Sequence, residues 1–365
     1  MSLQPAMETD RTPRRRYRPH MKWLLAGASL VCACGAVELW VRMLDLGPAV
    51  YGPRRFEPGG AVPFATIDAG GRSLLVYRAH STFSSVYDPA GDSRRYFGPE
   101  GRVVYRINAL GLRGGPIAIE KEAGGYRVIC LGDSITFGEG VREEDTFVAR
   151  LQGELSAAMP GRAVEVINAG VQGYGTREEE LMFDRLCVPL APNAVVLQFF
   201  LNDATDFGET IRQNDDRTRA LELSLPARAS RVWEIIERSR HAARLQREYF
   251  ATTRRSFDSL QWDACRKSLA NMAAESKQRN IRFVVIVFPI LWGLNGEYPF
   301  ENLHAKIADA CRQAGCAHID LLEDYRGKAP ESLWVHPTDH HPNEAAHEIA
   351  ARRISAYLLG GRDPA

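Results

Sequence analysis

The chain carries almost no net charge: 46 Lys and Arg against 45 Asp and Glu leave +1 over 365 residues. That balance excludes the global basic field that nucleic-acid binders use. Cysteine is scarce, and its count of 7 is odd, which excludes a disulfide scaffold. Internal repeats and low-complexity tracts are missing. The glycine-rich stretch Gly132 to Gly138 has no Lys-Ser/Thr after it, so it is not a phosphate cradle of the P-loop kind. What is present is ordinary: 45% hydrophobic and 25% charged residues describe a folded chain. It is long enough to bury a core without metal or disulfide staples, and on a prior of roughly 150 residues per domain it makes one large or two modest domains.

Long apolar runs are confined to one place. Arg11, Arg14, Arg15, Arg16, Arg18 and Lys22 precede an apolar stretch from Trp23 to Val37. A basic flank followed by an apolar run marks a signal peptide or signal anchor. The run alone makes about 22 Å of helix, short of the ~30 Å hydrocarbon core. Leu39, Trp40, Val41, Met43 and Leu44 extend it, with Arg42 snorkelling outward. Glu38 is the awkward residue, because a carboxylate in the bilayer is costly unless it lies near the interface. The expected layout is a basic cytoplasmic segment at 1–22 and a membrane helix at 23–44, with the rest exported by the positive-inside rule. Secretion after cleavage near Ala33 to Ala36 is the alternative. In an oxidising compartment Cys311 and Cys316 are close enough to pair if a helix ends between them at Gly315, and buried free thiols are the other reading.

Residues 45–125 read as an irregular lead-in with short β alternations, rich in Gly and Pro. From Tyr126 onward strands alternate with helices. Short apolar runs begin at Val128, Val164, Ala194, Phe283 and His318, with helical stretches near 146–158, 177–187, 262–278, 304–314 and 344–359. That rhythm predicts a three-layer α/β/α domain over 126–360, with a central, mostly parallel five-stranded sheet behind the N-terminal membrane helix. A charged insertion at about 207–259 follows the third strand. The carboxyl ends of such strands hold the ligand, so the insertion is placed to be a lid or wall.

Polar blocks follow the strands in a pattern that strand and helix formation do not require. They are Gly132-Asp133-Ser134, then Asn168 through Gly175 with Gly173 inside, then Asn202-Asp203, and finally Asp339-His340-His341-Pro342-Asn343. A serine hydroxyl needs a base to become a nucleophile, and imidazole is the natural base near neutral pH. Ser134 is therefore the candidate nucleophile and His341 its base, with Asp339 holding the imidazole tautomer. The Ser134 N–H, the Gly173 N–H and the Asn202 amide are candidate donors to the oxyanion. Glycine at 173 suits a backbone that approaches a ligand closely.

These four blocks resemble the SGNH (GDSL) hydrolase superfamily over about two thirds of the chain, and Ile107 to Gly114 resembles a lead-in of its membrane-anchored members. The resemblance implies a flavodoxin-like sheet, a structural role for Asp133 and no cofactor or metal. It also implies a serine esterase that removes short acyl groups, of the O-acetyl kind. Together with the N-terminal export signal this makes the expected protein an exported esterase acting on a carbohydrate, cell-envelope or lipid-like ester. Two residues depart from the family pattern. The acid usually stands three residues before the histidine, where this chain has Thr338, and Phe200 replaces the usual glycine of the third block.

Rival readings exist. Ser134 and Asn202 fit turn or cap roles. His336, His340, His341 and His347 with Asp339 could ligate zinc, but neighbouring histidines seldom point one way, and His347-Glu348 lacks the second histidine of H-E-x-x-H. No Gly-x-Ser-x-Gly elbow occurs, which argues against the α/β-hydrolase family. The same site residues also suit an O-acyltransferase acting on envelope polysaccharide, and a retired scaffold would serve as a glycan-binding module. Nucleic acid is not an expected partner.

Overall fold

The computed structural model describes residues 19–46, 223–360 and, apart from 53, 60–62, 69–70 and 72, residues 51–204. The basic residues from Arg11 to Arg18 and the first part of the expected insertion lie outside the described residues. By contacts the chain divides into two units, one of residues 1–49 and 218–244 and the other of 50–217 and 245–365.

In the first unit, helix α1 (Pro19–Met43) is exposed along its length, and His20–Met43 is long and apolar enough to cross a membrane by length and composition, with mean hydropathy 1.9. A signal anchor and a signal peptide both meet that description. The awkward Glu38 has a structural occupation. Its carboxylate accepts from the Ser230 hydroxyl at 2.8 Å and from the N–H groups of Arg231 and Val232 at 2.7 and 3.1 Å. Arg42 donates to the same group at 2.6 Å. Glu38 thus satisfies the free N–H groups at the start of a helix over Arg231–Ser256.

The second unit is built on five strands. These are β6 (Tyr126–Gly132), β7 (Val164–Gly170), β8 (Ala194–Phe199), β9 (Arg282–Val287) and β10 (Ala317–Asp320), in the order β10-β9-β8-β6-β7, every pairing parallel. Their apolar runs are buried on both faces, as parallel sheets require. This is the fold class that the strand–helix rhythm predicts. Helix α2 (Ser134–Phe137) is a single turn. Helix α3 (Phe147–Ala158) starts where the Thr146 hydroxyl accepts from the Ala149 N–H. It buries Phe147, Leu151 and Leu155 at helical spacing and packs against the C-terminal helix over Glu344–Gly360. Helix α4 (Thr176–Met182) and the helices over Leu260–Gln278 and Glu301–Ala314 form a second packed group, which completes three layers. The chain passes from β6 to β7 on one side and returns to β8 on the other. That reversal makes the carboxyl end of β6 the switch point of the sheet, where open α/β folds bind ligands.

The lead-in is more ordered than its composition suggests. Strands β1 (Arg55–Pro58), β4 (Thr82–Val86) and β5 (Arg102–Arg106) form an antiparallel sheet, and β2 (Phe64–Asp68) pairs with β3 (Ser73–Tyr77) as a hairpin. Tyr77, Phe83 and Tyr105 from this layer surround Phe137, with ring centroids 5.0, 5.9 and 5.0 Å away. Since Phe137 ends the turn that begins at Ser134, the lead-in is packed directly under the candidate nucleophile. Cys311 and Cys316 are free thiols, as one of the two readings had it. The helix ends at Gly315 in the left-handed conformation, and the Cys316 N–H donates to the Cys311 carbonyl at 3.0 Å.

Candidate active site

Ser134 is the first residue of α2, immediately after β6. The Asp133 side chain accepts from the Ile135 N–H at 2.8 Å and fixes the turn. Gln198, the one polar residue inside β8, reinforces it from below. Its side-chain oxygen accepts from the Asp133 and Thr136 N–H groups, both at 3.2 Å, and from the Thr136 hydroxyl at 3.0 Å. Asn168 on β7 donates to the Thr136 carbonyl at 2.8 Å. Gly170 must be glycine because a Cβ there would sit 2.2 Å from the Phe137 nitrogen.

His341 arrives from the far end of the chain on a two-stranded hairpin of β11 (Trp334–His336) and β12 (Asp339–Pro342). Its Nε2 lies 2.9 Å from the Ser134 Oγ. On the other side of the ring, Nδ1 lies 2.5 Å from Asp339 Oδ1, and the same oxygen accepts from the His341 N–H at 3.2 Å. Hydroxyl, imidazole and carboxylate thus form one hydrogen-bonded chain. The D-x-H spacing reaches because Asp339 and His341 are alternate residues of a strand and share a face. Thr338, where the family usually has its acid, instead bonds His336 Nδ1 at 2.8 Å.

Electrostatics agree with this arrangement. Burial alone would push the Asp339 carboxyl up, but the His341 imidazole, the Arg54 guanidinium and the Tyr87 hydroxyl hold it well below the usual carboxylate range. Burial pulls the His341 pKa down, yet the Asp339 carboxylate outweighs that and the net shift is upward. Asp339 Oδ2 accepts from Tyr87 Oη at 2.8 Å and faces Arg54 Nη1 at 3.4 Å.

Gly173 and Asn202 follow β7 and β8, the two strands that flank β6. Gly173 has φ +82°, a left-handed conformation that favours glycine, so its own backbone geometry is a reason for glycine here. Among the described residues no hydrogen bond occupies the Ser134 or the Gly173 N–H. Asn202 sits in a turn closed by Asp203, whose N–H donates to the Phe200 carbonyl at 3.0 Å while its carboxyl accepts from the Phe200 N–H at 3.3 Å. Phe200 does not adopt positive φ, so this turn has no need of the glycine it replaces. The Asn202 side chain bonds towards Asp133.

The zinc reading finds no support, since the histidines are dispersed. His347 is buried, stacks on Phe147 and accepts from its N–H at 3.0 Å. Burial and nearby cations push its pKa down to about 3. His336 bonds the Asp88 carbonyl at 3.1 Å, and His340 lies on β12 stacked on Trp334. Among the described residues no group of three or more such side chains is placed to hold a metal.

Residues 130–349 match the model of the GDSL-like lipase/acylhydrolase family. The chain belongs to that family. As a GDSL-like protein it is a serine ester hydrolase. The acetylxylan esterase Axe2 from Geobacillus stearothermophilus is similar at 16% identity, over 66% of this chain and 96% of its own, with TM-score 0.43. LAE5, an α/β hydrolase from the metagenome of Lake Arreo, is similar at 17% identity, over 65% and 96%, with TM-score 0.42. A two-domain esterase active on acetylated mannans is similar at 14%, over 66% of this chain and 52% of its own, with TM-score 0.41. The chain matches none of the curated proteins.

Around this GDSL-like site sequence reading missed several residues. Arg113 is buried and donates to the carbonyls of Phe137, Gly138 and Val141 at 2.6, 2.7 and 2.6 Å, which clamps the loop after α2. Its signal was present in the Ile107 to Gly114 block. Arg54, Tyr87 and Glu139 had none, because nothing in their local sequence marks them. Beneath the site, Asp133, Glu179 and Asp203 form a buried carboxyl group cluster. Burial first, and mutual repulsion second for Glu179 and Asp203, push those two well above the usual carboxylate range; Asp133 is raised by burial.

Proposed function

We propose that this protein is a membrane-anchored, extracytoplasmic esterase that cleaves short acyl esters, of the O-acetyl kind, from a carbohydrate or other cell-envelope substrate. The observation that carries the chemistry is the unbroken hydrogen-bond chain from Ser134 through His341 to Asp339. Export is supported by the basic flank and the apolar helix α1.

Ser134 Oγ attacks the ester carbonyl while its proton passes to His341 Nε2. Asp339 stabilises the imidazolium so formed without taking its proton. Negative charge collects on the carbonyl oxygen, and the N–H groups of Ser134 and Gly173 with the Asn202 amide receive it; one such donor is worth about 10²–10³ in kcat. His341 then returns the proton to the leaving alkoxide, and the sugar hydroxyl departs. Water, deprotonated by the same imidazole, attacks the acyl-Ser134 carbonyl, and release of the carboxylic acid restores the serine.

The test is fluorophosphonate labelling and hydrolysis of an aryl acetate by the full-length protein in detergent. Wild type is expected to label and turn over, and Ser134→Ala to do neither. Acetylated xylan and mannan oligomers with an acyl-chain series of aryl esters then define the substrate. Labelling that survives in Ser134→Ala would refute the assignment, and an acetyl group arriving on an added oligosaccharide would replace hydrolysis with transfer.

A further inference from the structure

We propose that Arg54 and Glu139 are positioning residues for the acyl-transfer step: an ion pair, seated behind Asp339, that holds the acid in line with His341 and balances the charge around it. The proposal rests on the Ser134–His341–Asp339 reading. Nothing in the four sequence blocks includes either residue.

The geometry is specific. Glu139 follows α2 and is 1% exposed, and a lone buried carboxylate is costly. Its Oε1 accepts from Ser85 at 2.6 Å and Tyr105 at 3.1 Å, both from the lead-in sheet, and lies 2.8 Å from Arg54 Nη1. The same Nη1 is 3.4 Å from Asp339 Oδ2, so one nitrogen bridges two carboxylates. Tyr87 completes the support with its hydrogen bond to Asp339 Oδ2. Asp339 therefore has one oxygen for the imidazole and the other fixed from behind. A carboxylate free to rotate would lose its alignment with Nδ1, and catalysis with it.

The pair also acts through space. The charged and titratable groups felt at His341 are Asp339 beside it on β12, Glu139 from the loop after α2, Arg54 from the segment before β1, Asp133 at the end of β6 and His347 on the C-terminal helix. Tyr87 faces Asp339. Arg54 opposes the imidazolium and Glu139 favours it. Removing each charge alone therefore moves the His341 titration in opposite directions, which misfolding or loosening would not do.

The experiment compares Arg54→Met, Arg54→Lys and Glu139→Gln with wild type by kcat and KM against pH on an aryl acetate. Arg54→Met is expected to lower kcat about tenfold or more with KM little changed, and to move the acid limb of kcat/KM up by about half a pH unit. Glu139→Gln is expected to move that limb down by about the same amount. Arg54→Lys is expected to restore the limb position and part of kcat. Should Arg54→Met fail to fold with Glu139 left unpaired, Glu139→Gln and Arg54→Lys carry the test, since each keeps the shape of the site. Limbs of Arg54→Met and Glu139→Gln that stay put, or that move the same way, overturn the proposal, as does a limb of Glu139→Gln that does not move when Arg54→Met cannot be studied. Ser134→Ala serves as the control that separates failures: if it keeps the wild-type rate, the Ser–His–Asp reading itself has fallen.

Discussion

Replacing Asp339 by Asn tests the choice between the acid that the structure supplies and the position the family pattern favours. Asn keeps the size of the side chain and an oxygen for the Tyr87 hydroxyl, but removes the charge that faces His341. In the transition state His341 carries a full positive charge, its Nδ1 held 2.5 Å from Asp339 Oδ1. With charge centres about 3.5 Å apart and an effective dielectric of ~20, the lost attraction is about 5 kcal/mol. Every 1.36 kcal/mol is tenfold in rate, so kcat should fall by roughly 10³–10⁴. KM should change little, because the ground-state ester makes no contact that depends on this charge. The assay is steady-state hydrolysis of an aryl acetate over a pH series, with near-UV circular dichroism to verify the fold. The acid limb should also shift downward, since Asp339 is what raises His341. If Asp339→Asn keeps more than a tenth of the wild-type rate, Asp339 is not the acid. A large loss in Thr338→Ala with Asp339→Asn unimpaired would restore the usual spacing.

Three further outcomes follow from the same structure. In wild type kcat/KM should rise with pH through a His341 pKa above its ordinary value of about 6.5, because the protonated ring cannot accept the serine proton; a plateau already reached below that value would contradict the arrangement. Arg113→Met removes three hydrogen bonds to loop carbonyls and should cost about 3 kcal/mol or more, read as a lowered denaturant midpoint; an unchanged midpoint refutes the clamp. Glu179 has its folded pKa raised above the unfolded one, so its contribution is full below the unfolded pKa and is lost as pH rises through the folded one. Glu179→Gln should therefore melt above wild type at pH 8, with the gap closing towards pH 4, and a gap independent of pH would show that the carboxyl is not buried neutral.

The sheet was legible because parallel strands buried on both faces must be continuous apolar runs, and those at Val128, Val164, Ala194, Phe283 and His318 have no other use. Ser134, Gly173, Asn202 and His341 were legible because polar residues at strand ends are not required for folding. The lead-in was read as irregular since its strands are short and its packing partner, Phe137, lies in another part of the chain. Glu38 looked like a defect in an apolar helix, and its reason is a helix start nearly two hundred residues later. Two further points needed coordinates. Phe200 stands in place of glycine without strain because its φ is not positive in the turn that Asp203 closes. Asp339 reaches the imidazole because alternate residues on a strand share a face.

Sequence by itself thus determined the fold class and singled out Ser134 and His341 as candidates, since periodicity and the chemistry of isolated polar residues are local properties of a chain. Only the tertiary structure decided what stands behind them. Arg54 and Tyr87 meet Asp339, and Ser85, Tyr105 and Arg54 meet Glu139, through side chains brought together by packing, and hydrogen bonds between residues so far apart leave no mark in the order of amino acids.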